Sequence, residues 1–177
     1  MKPNVVATHL VKIIKAARSQ QSLVDELMQD YLNELSAYES IAMDAGGRFQ
    51  YPFLKHYWRE PDRYPFLIVA GEQTVGFVLL RRDMNPENGS RFVEVAEFFV
   101  VPKWRRQKVG TIAAQLIWPL FPGPWCVSVL EKNLPAAKFW RQQIIQSAGS
   151  CTEESPSSAN FRKTIFRFQY CAEPIVD

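Results

Sequence analysis

Apolar positions along this chain change their spacing several times, and each change marks an element. Residues 5–15 mix Val5, Val6, Leu10, Val11, Ile13 and Ile14 with His9, Lys12 and Lys15, which predicts an opening strand with His9 at its surface or edge. From Ser19 or Ser22 the spacing lengthens to threes and fours through Leu23, Leu27, Tyr31, Leu35 and Tyr38. That period predicts an amphipathic helix with a serine cap and with Asp25 and Glu26 in its first turn, ended by Gly46 and Gly47. A breaker-rich aromatic segment follows, with a short helix expected over 54–58. Phe66–Ala70 and Val75–Arg81 flank Gly-Glu-Gln-Thr and predict a β-hairpin.

The second half repeats the grammar. After a polar loop at 83–90, Val95, Phe98, Phe99, Val100 and Val101 form a buried strand that Pro102 ends. A helix over TIAAQLIW stops at Pro119, a short strand spans Cys126–Leu130, and Asn133 with Pro135 starts another helix that turns Ala136, Phe139, Trp140 and Ile144 to the core. Residues 147–160 are small and polar, a loop. Ile165, Phe166, Phe168 and Tyr170 then suit a closing strand.

Composition narrows the reading. With 177 residues, 47% of them hydrophobic, the chain has apolar material for one core and too little length for two typical domains, so one domain over 1–177 is expected. The net charge of +3 is mild and the cations gather in one turn, which does not imply nucleic-acid binding. The N-terminal residues lack an apolar core of signal-peptide length and no stretch approaches a membrane span, so the expected location is cytoplasmic. Cys126, Cys151 and Cys171 are odd in number and show no ligand spacing, which favours free thiols and gives no metal site. His56 has no catalytic partner in a recognisable motif and reads as structural.

The chemistry concentrates between Glu94 and Gly110. Lys103, Arg105, Arg106 and Lys108 fall between the strand and the next helix. Free N–H groups and the dipole at a helix start attract anions, and arginines suit phosphate oxygens. The plainer reading is a solvated basic turn. Neither GxGxxG nor GKS/GKT occurs. In the strand itself, Glu97 is a carboxylate flanked by Val95, Ala96, Phe98 and Phe99, a costly arrangement unless something uses it. Glu94 lies on the opposite face by strand alternation, so at most one of the two serves a common site.

Two blocks carry a family resemblance. Arg105, Arg106, Gln107, Lys108, Val109 and Gly110 resemble motif A of the GNAT superfamily of acyl-CoA-dependent N-acyltransferases: Arg or Gln, two residues, Gly, one residue, Gly or Ala, after a strand and a short turn. Lys108 stands at the first glycine position. The block Asn133 to Trp140, NLPAAKFW, resembles motif B of the same superfamily. The resemblance covers roughly residues 64 to 145.

It implies an α/β (α+β) GNAT-type fold with a mixed, mostly antiparallel central sheet flanked by helices, and acetyl-CoA as co-substrate. It further implies direct acetyl transfer to an amine, expected to be a small molecule; charge and hydropathy lead to no expected nucleic-acid or membrane partner, and a homodimer is left open. The cofactor residues by resemblance are Phe98, Phe99, Val100, Arg105, Arg106, Gln107, Lys108, Val109, Gly110, Thr111, Asn133 and Trp140. The first helix would supply acceptor contacts at Tyr31, Glu34, Tyr38 and Glu39, although packing tyrosines and solvated acids are the ordinary alternative. The segment AEFFV is similar to the acidic-Phe-Phe-Val strand of polyamine-type acetyltransferases and puts Glu97 first as catalytic carboxylate, with Glu94 as the alternative. Many relatives have tyrosine where this chain has Trp140, and an indole N–H is no acid. Two rival readings remain at this stage: a non-catalytic acyl-CoA-binding or sensor domain, and an acetyltransferase of a protein or tRNA-linked amine.

Overall fold

The structure is a computed structural model that describes residues 11–155 and 162–171. Val5, Val6 and His9 of the expected opening strand lie outside the described residues, as do residues 156–160 of the expected loop. The chain divides into two units, Met1–Leu80 with Glu97–Ala113, and Arg81–Ala96 with Ala114–Asp177.

In the first unit, β1 (Val11–Lys15) leads through a 3-10 turn at Arg18–Gln20 into α1 (Gln21–Leu35). Gln20, not a serine, holds the N-cap position, and its side chain instead accepts the Ala17 N–H at 2.9 Å. Asp25 and Glu26 fall beyond the first turn, where the dipole has faded, and pair with Arg48 at 2.8 and 3.2 Å. The buried stripe of α1 is Val24, Met28 and Leu32, one residue along from the expected one; Leu23 is exposed. The helix stops at Leu35, before Gly46, and Gly47 closes a turn between Met43 and Phe49 instead. The expected short helix is a 3-10 helix at Leu54–Trp58, and His56 pairs with Glu60 one turn on.

The hairpin is β2 (Arg63–Ala70) and β3 (Gln73–Met84), joined at Gly71 with φ 62°. Its strands are longer than expected because Arg63, Tyr64 and the polar end of β3 continue the extended backbone. Gly76 in β3 is required by packing: a Cβ there would lie 2.0 Å from the carbonyl oxygen of Phe99. That oxygen belongs to β4 (Arg91–Val100), whose last residues complete the first unit together with a 3-10 turn at Pro102–Trp104 and the start of α2 (Val109–Ile117).

In the second unit, β5 (Gly123–Leu130) pairs parallel to β4 from Val93↔Trp125 to Val95↔Val127. On its other side it pairs antiparallel with β7 (Lys163–Tyr170) over its whole length. α3 (Leu134–Ala148) buries Ala137, Trp140, Gln143 and Ile144, while Ala136 and Phe139 lie off the core face expected of them. The core holds Trp118 and Trp125 edge-to-face at 4.8 Å, with Phe168 stacked on Trp125 at 6.4 Å. The expected loop after 147 contains β6 (Thr152–Glu154), which pairs with β7. Its three residues are all exposed, so no apolar alternation marks it; Glu153 and Arg141 form an ion pair at 2.5 Å. On β7 the inward residues are Thr164, Phe166 and Phe168, with Ile165 on the other face.

The strands are ordered β1-β2-β3-β4-β5-β7-β6 in one mixed, mostly antiparallel seven-stranded sheet with flanking helices. Among the described residues no helix is long and apolar enough to cross a membrane.

Candidate active site

Glu97 stands near the end of β4 with two hydroxyls on its carboxylate. Tyr31 of α1 donates to Oε2 at 2.5 Å and Tyr51 donates to Oε1 at 3.0 Å. Helical spacing brings Tyr31 to the sheet, where its ring meets Phe77 and Phe99, each at 5.8 Å. Desolvation, followed by the charge of Glu97, pushes the Tyr31 hydroxyl well above the ordinary tyrosine value, and the same two causes raise Tyr51. Both therefore keep their protons at neutral pH and serve as donors. Sequence reasoning misses Tyr51: it lies in the aromatic, breaker-rich segment, 46 residues from Glu97, with no periodic signal. A carboxylate held this way can receive an ammonium group and take its proton.

The turn after β4 has an unusual backbone. Arg106 and Lys108 take left-handed conformations, φ 59° and 63°, a region that costs a side-chain-bearing residue about 1 kcal/mol or more. The position where the motif places glycine is thus one where the backbone demands what glycine gives freely. Among the described residues, none accepts a hydrogen bond from the N–H of Arg106, Gln107, Lys108, Val109, Gly110 or Thr111. Val109 is fully buried and anchors the helix start, while the Lys103, Arg106 and Lys108 side chains are exposed.

Arg105 is engaged by the protein's own groups, although its side chain is exposed. Its Nη2 lies 2.8 Å from each carboxylate oxygen of Glu34, its Nε donates to the Val100 carbonyl at 2.7 Å, and it covers the Phe99 ring. Glu34 is held by the same pairing, and Tyr38 lies in the turn beyond α1, its N–H on the Leu35 carbonyl.

A family model described as "Acetyltransferase (GNAT) family" matches residues 21–143. The chain belongs to the GNAT acetyltransferase family. No curated protein matches it in sequence. Among solved structures, it is similar in fold to Arabidopsis thaliana NAA60 in complex with acetyl-CoA, at 12% identity and TM-score 0.59, covering 90% of this chain and 99% of that one. An acetyltransferase from Thermus thermophilus gives 11% identity and TM-score 0.61, covering 90% and 96%. An aminoglycoside acetyltransferase from an uncultured soil metagenomic sample gives 14% and 0.55, covering 85% and 97%.

Acetyl-CoA is the co-substrate of this GNAT family, and the turn has groups that could hold its pyrophosphate: N–H groups without a backbone acceptor among the described residues, left-handed backbone and three exposed cations. On β4, Val101 N–H bonds the Val75 carbonyl, so by alternation the amides of Phe98 and Val100 face the opposite edge, beyond the last β5 pair at Val95. The Val100 carbonyl on that edge accepts from Arg105 Nε at 2.7 Å.

The remaining motif residues have settled partners. Asn133 Oδ1 caps α3 by accepting the Ala136 N–H at 3.2 Å. Trp140 is buried, 5.9 Å from Trp118 and 5.1 Å from Phe139. Glu94 accepts from Arg81 Nε at 2.5 Å and from Ser128 at 3.5 Å. Cys126 lies beside this pair, and burial, then the charge of Glu94, push its thiol up to about 11, so it is no thiolate nucleophile at neutral pH.

Proposed function

We propose that this GNAT protein transfers acetyl from acetyl-CoA to the nitrogen of a small primary amine, with Glu97 as the group that receives the amine and takes its proton. The observation that carries this reading is the double donation of Tyr31 and Tyr51 to Glu97. A lone carboxylate in an apolar strand needs partners; here they are neutral hydroxyls, whereas Glu94 is held by the cation of Arg81.

The bound co-substrate supplies an acyl group activated as a thioester. The N–H groups of Arg106 to Thr111, with Lys103, Arg106 and Lys108, would hold its pyrophosphate, and the outward edge of Phe98 its amide arm. Tyr31 and Tyr51 fix the Glu97 carboxylate against rotation. Arg105 and Glu34 brace the turn from within and are not substrate groups in this scheme. Trp140 packs and donates no proton to the departing sulfur, so CoA leaves as a thiolate that solvent protonates as the C–S bond breaks.

Calorimetric titration with acetyl-CoA and desulfo-CoA, with ATP as control, followed by thiol release on a panel of primary amines, tests the proposal. Saturable binding of both CoA compounds well above ATP, with thiol release that depends on an amine, is expected. Tight CoA binding with no release on any small amine, peptide or acylated tRNA would leave a binding domain and overturn it.

A further inference from the structure

A cavity of about 620 Å³ opens between the end of β1, the turn after it, and the start of β2, and neither Glu97 nor any residue of the basic turn lines it. Its charged lining is four cations, Lys15, Arg18, Arg59 and Arg63, against one carboxylate, Glu60. Glu60 is already committed, to Arg63 at 2.7 Å and to His56. Lys15, Arg18 and Arg59 are exposed, and among the described residues none of the three makes an ion pair. Arg48, Arg81, Arg105, Arg141 and Arg167 all have acidic partners, whereas this concavity, like the turn after β4, gathers three cations without one. Like charges turned into one concavity repel one another, and that repulsion is relieved by an anion of matching charge. The rest of the wall is apolar and aromatic, including Trp58, whose indole is fixed by donation to the Ala16 carbonyl at 3.0 Å. Arg18 also lines a neighbouring cavity of about 640 Å³, where Lys55 stands with Asp25, a carboxylate already paired with Arg48.

We propose that this cavity binds a phosphorylated small molecule, with Arg18 and Arg59 on the phosphate oxygens and the apolar wall against the remainder. Guanidinium groups match phosphate geometry, and the volume lies within the range of drug-sized ligand sites, roughly 300–1,000 Å³. The site is independent of acetyl transfer and stands or falls separately from it.

The test is an NMR titration of the 15N-labelled protein, kept saturated with desulfo-CoA so that the turn after β4 does not report, using UDP, inorganic pyrophosphate and uridine as probes. UDP and pyrophosphate are expected to shift the Trp58 indole resonance and the amides around Arg18 and Arg59 saturably, with uridine silent. Both cations are exposed, so Arg18→Ala with Arg59→Ala should fold with an unchanged melting temperature and bind UDP at least about tenfold more weakly. No saturable shift with either phosphate, uridine binding as tightly as UDP, or UDP affinity unchanged in the double variant would each overturn the proposal.

Discussion

Arg105 and Glu34 lie 71 residues apart, yet the guanidinium of one sits 2.8 Å from both carboxylate oxygens of the other while also holding the Val100 carbonyl. This ties the end of β4 to α1 and braces the turn where acetyl-CoA is read to bind. Each side chain of the pair is about 40% exposed, so the ion pair itself contributes only about 0.5 kcal/mol after solvent screening. The Nε bond to backbone adds about 1 kcal/mol. Arg105→Ala should therefore lose about 1–2 kcal/mol in urea unfolding and Glu34→Gln about 0.5, with acetyl-CoA affinity falling in the first and nearly unchanged in the second. Equal losses in both variants would show that the Val100 bond does nothing.

Lys108 gives the turn a residue that its backbone disfavours. Lys108→Gly removes the left-handed penalty, partly offset by the greater freedom of glycine in the unfolded chain, and should raise stability by about 0.5 kcal/mol. Lys108→Val, branched at Cβ, should lower it by about 1–2 kcal/mol. Thermal unfolding of both variants decides the matter, and a stabilised valine variant would contradict the left-handed assignment.

Much of this is legible in the sequence because it is local. A strand, a basic turn and a helix, or an asparagine cap before Leu134 and Pro135, are written in neighbouring residues, and those elements form where the pattern puts them. Tyr51 and the Arg105–Glu34 pair are not legible as partners, since long-range hydrogen bonds leave no mark on spacing. The stripe of α1 reads one residue off because Leu23 and Leu27 fit the period as well as Val24 and Met28 do. β6 escapes a reading by pattern because exposed Thr and Glu carry no alternation.

Gly76 allows a close approach of the β3 and β4 backbones in the first unit. With a Cβ only 2.0 Å from the Phe99 oxygen, Gly76→Ala must push β3 and β4 apart, because neither atom is on a flexible side chain. A loss of about 3 kcal/mol or more in denaturant unfolding is expected. A change below about 1 kcal/mol would contradict the strand spacing.

Stability should fall at alkaline pH. The folded values of Cys126, Tyr31 and Tyr51 all lie above their ordinary ones, so the folded chain keeps protons that the unfolded chain releases. Their contribution is complete below the unfolded values and is lost as pH rises: from about 9 for Cys126, reaching about 2–3 kcal/mol by its folded value of about 11, and from about 10 for the tyrosines. Urea unfolding between about pH 8 and 11 should show this decline, shallower in Cys126→Ala. A flat profile would mean that these groups are hydrated in the folded protein.

The central claim is that Glu97 takes the amine's proton. Glu97→Gln keeps the shape and still accepts from one hydroxyl, so the protein should fold and bind acetyl-CoA as the parent does. The most direct measurement is steady-state thiol release by Glu97→Gln and by the parent on the same primary amine, with acetyl-CoA affinity measured in parallel. The account predicts a fall in kcat of about a hundredfold or more at unchanged affinity. A variant that turns over as fast as the parent would contradict it.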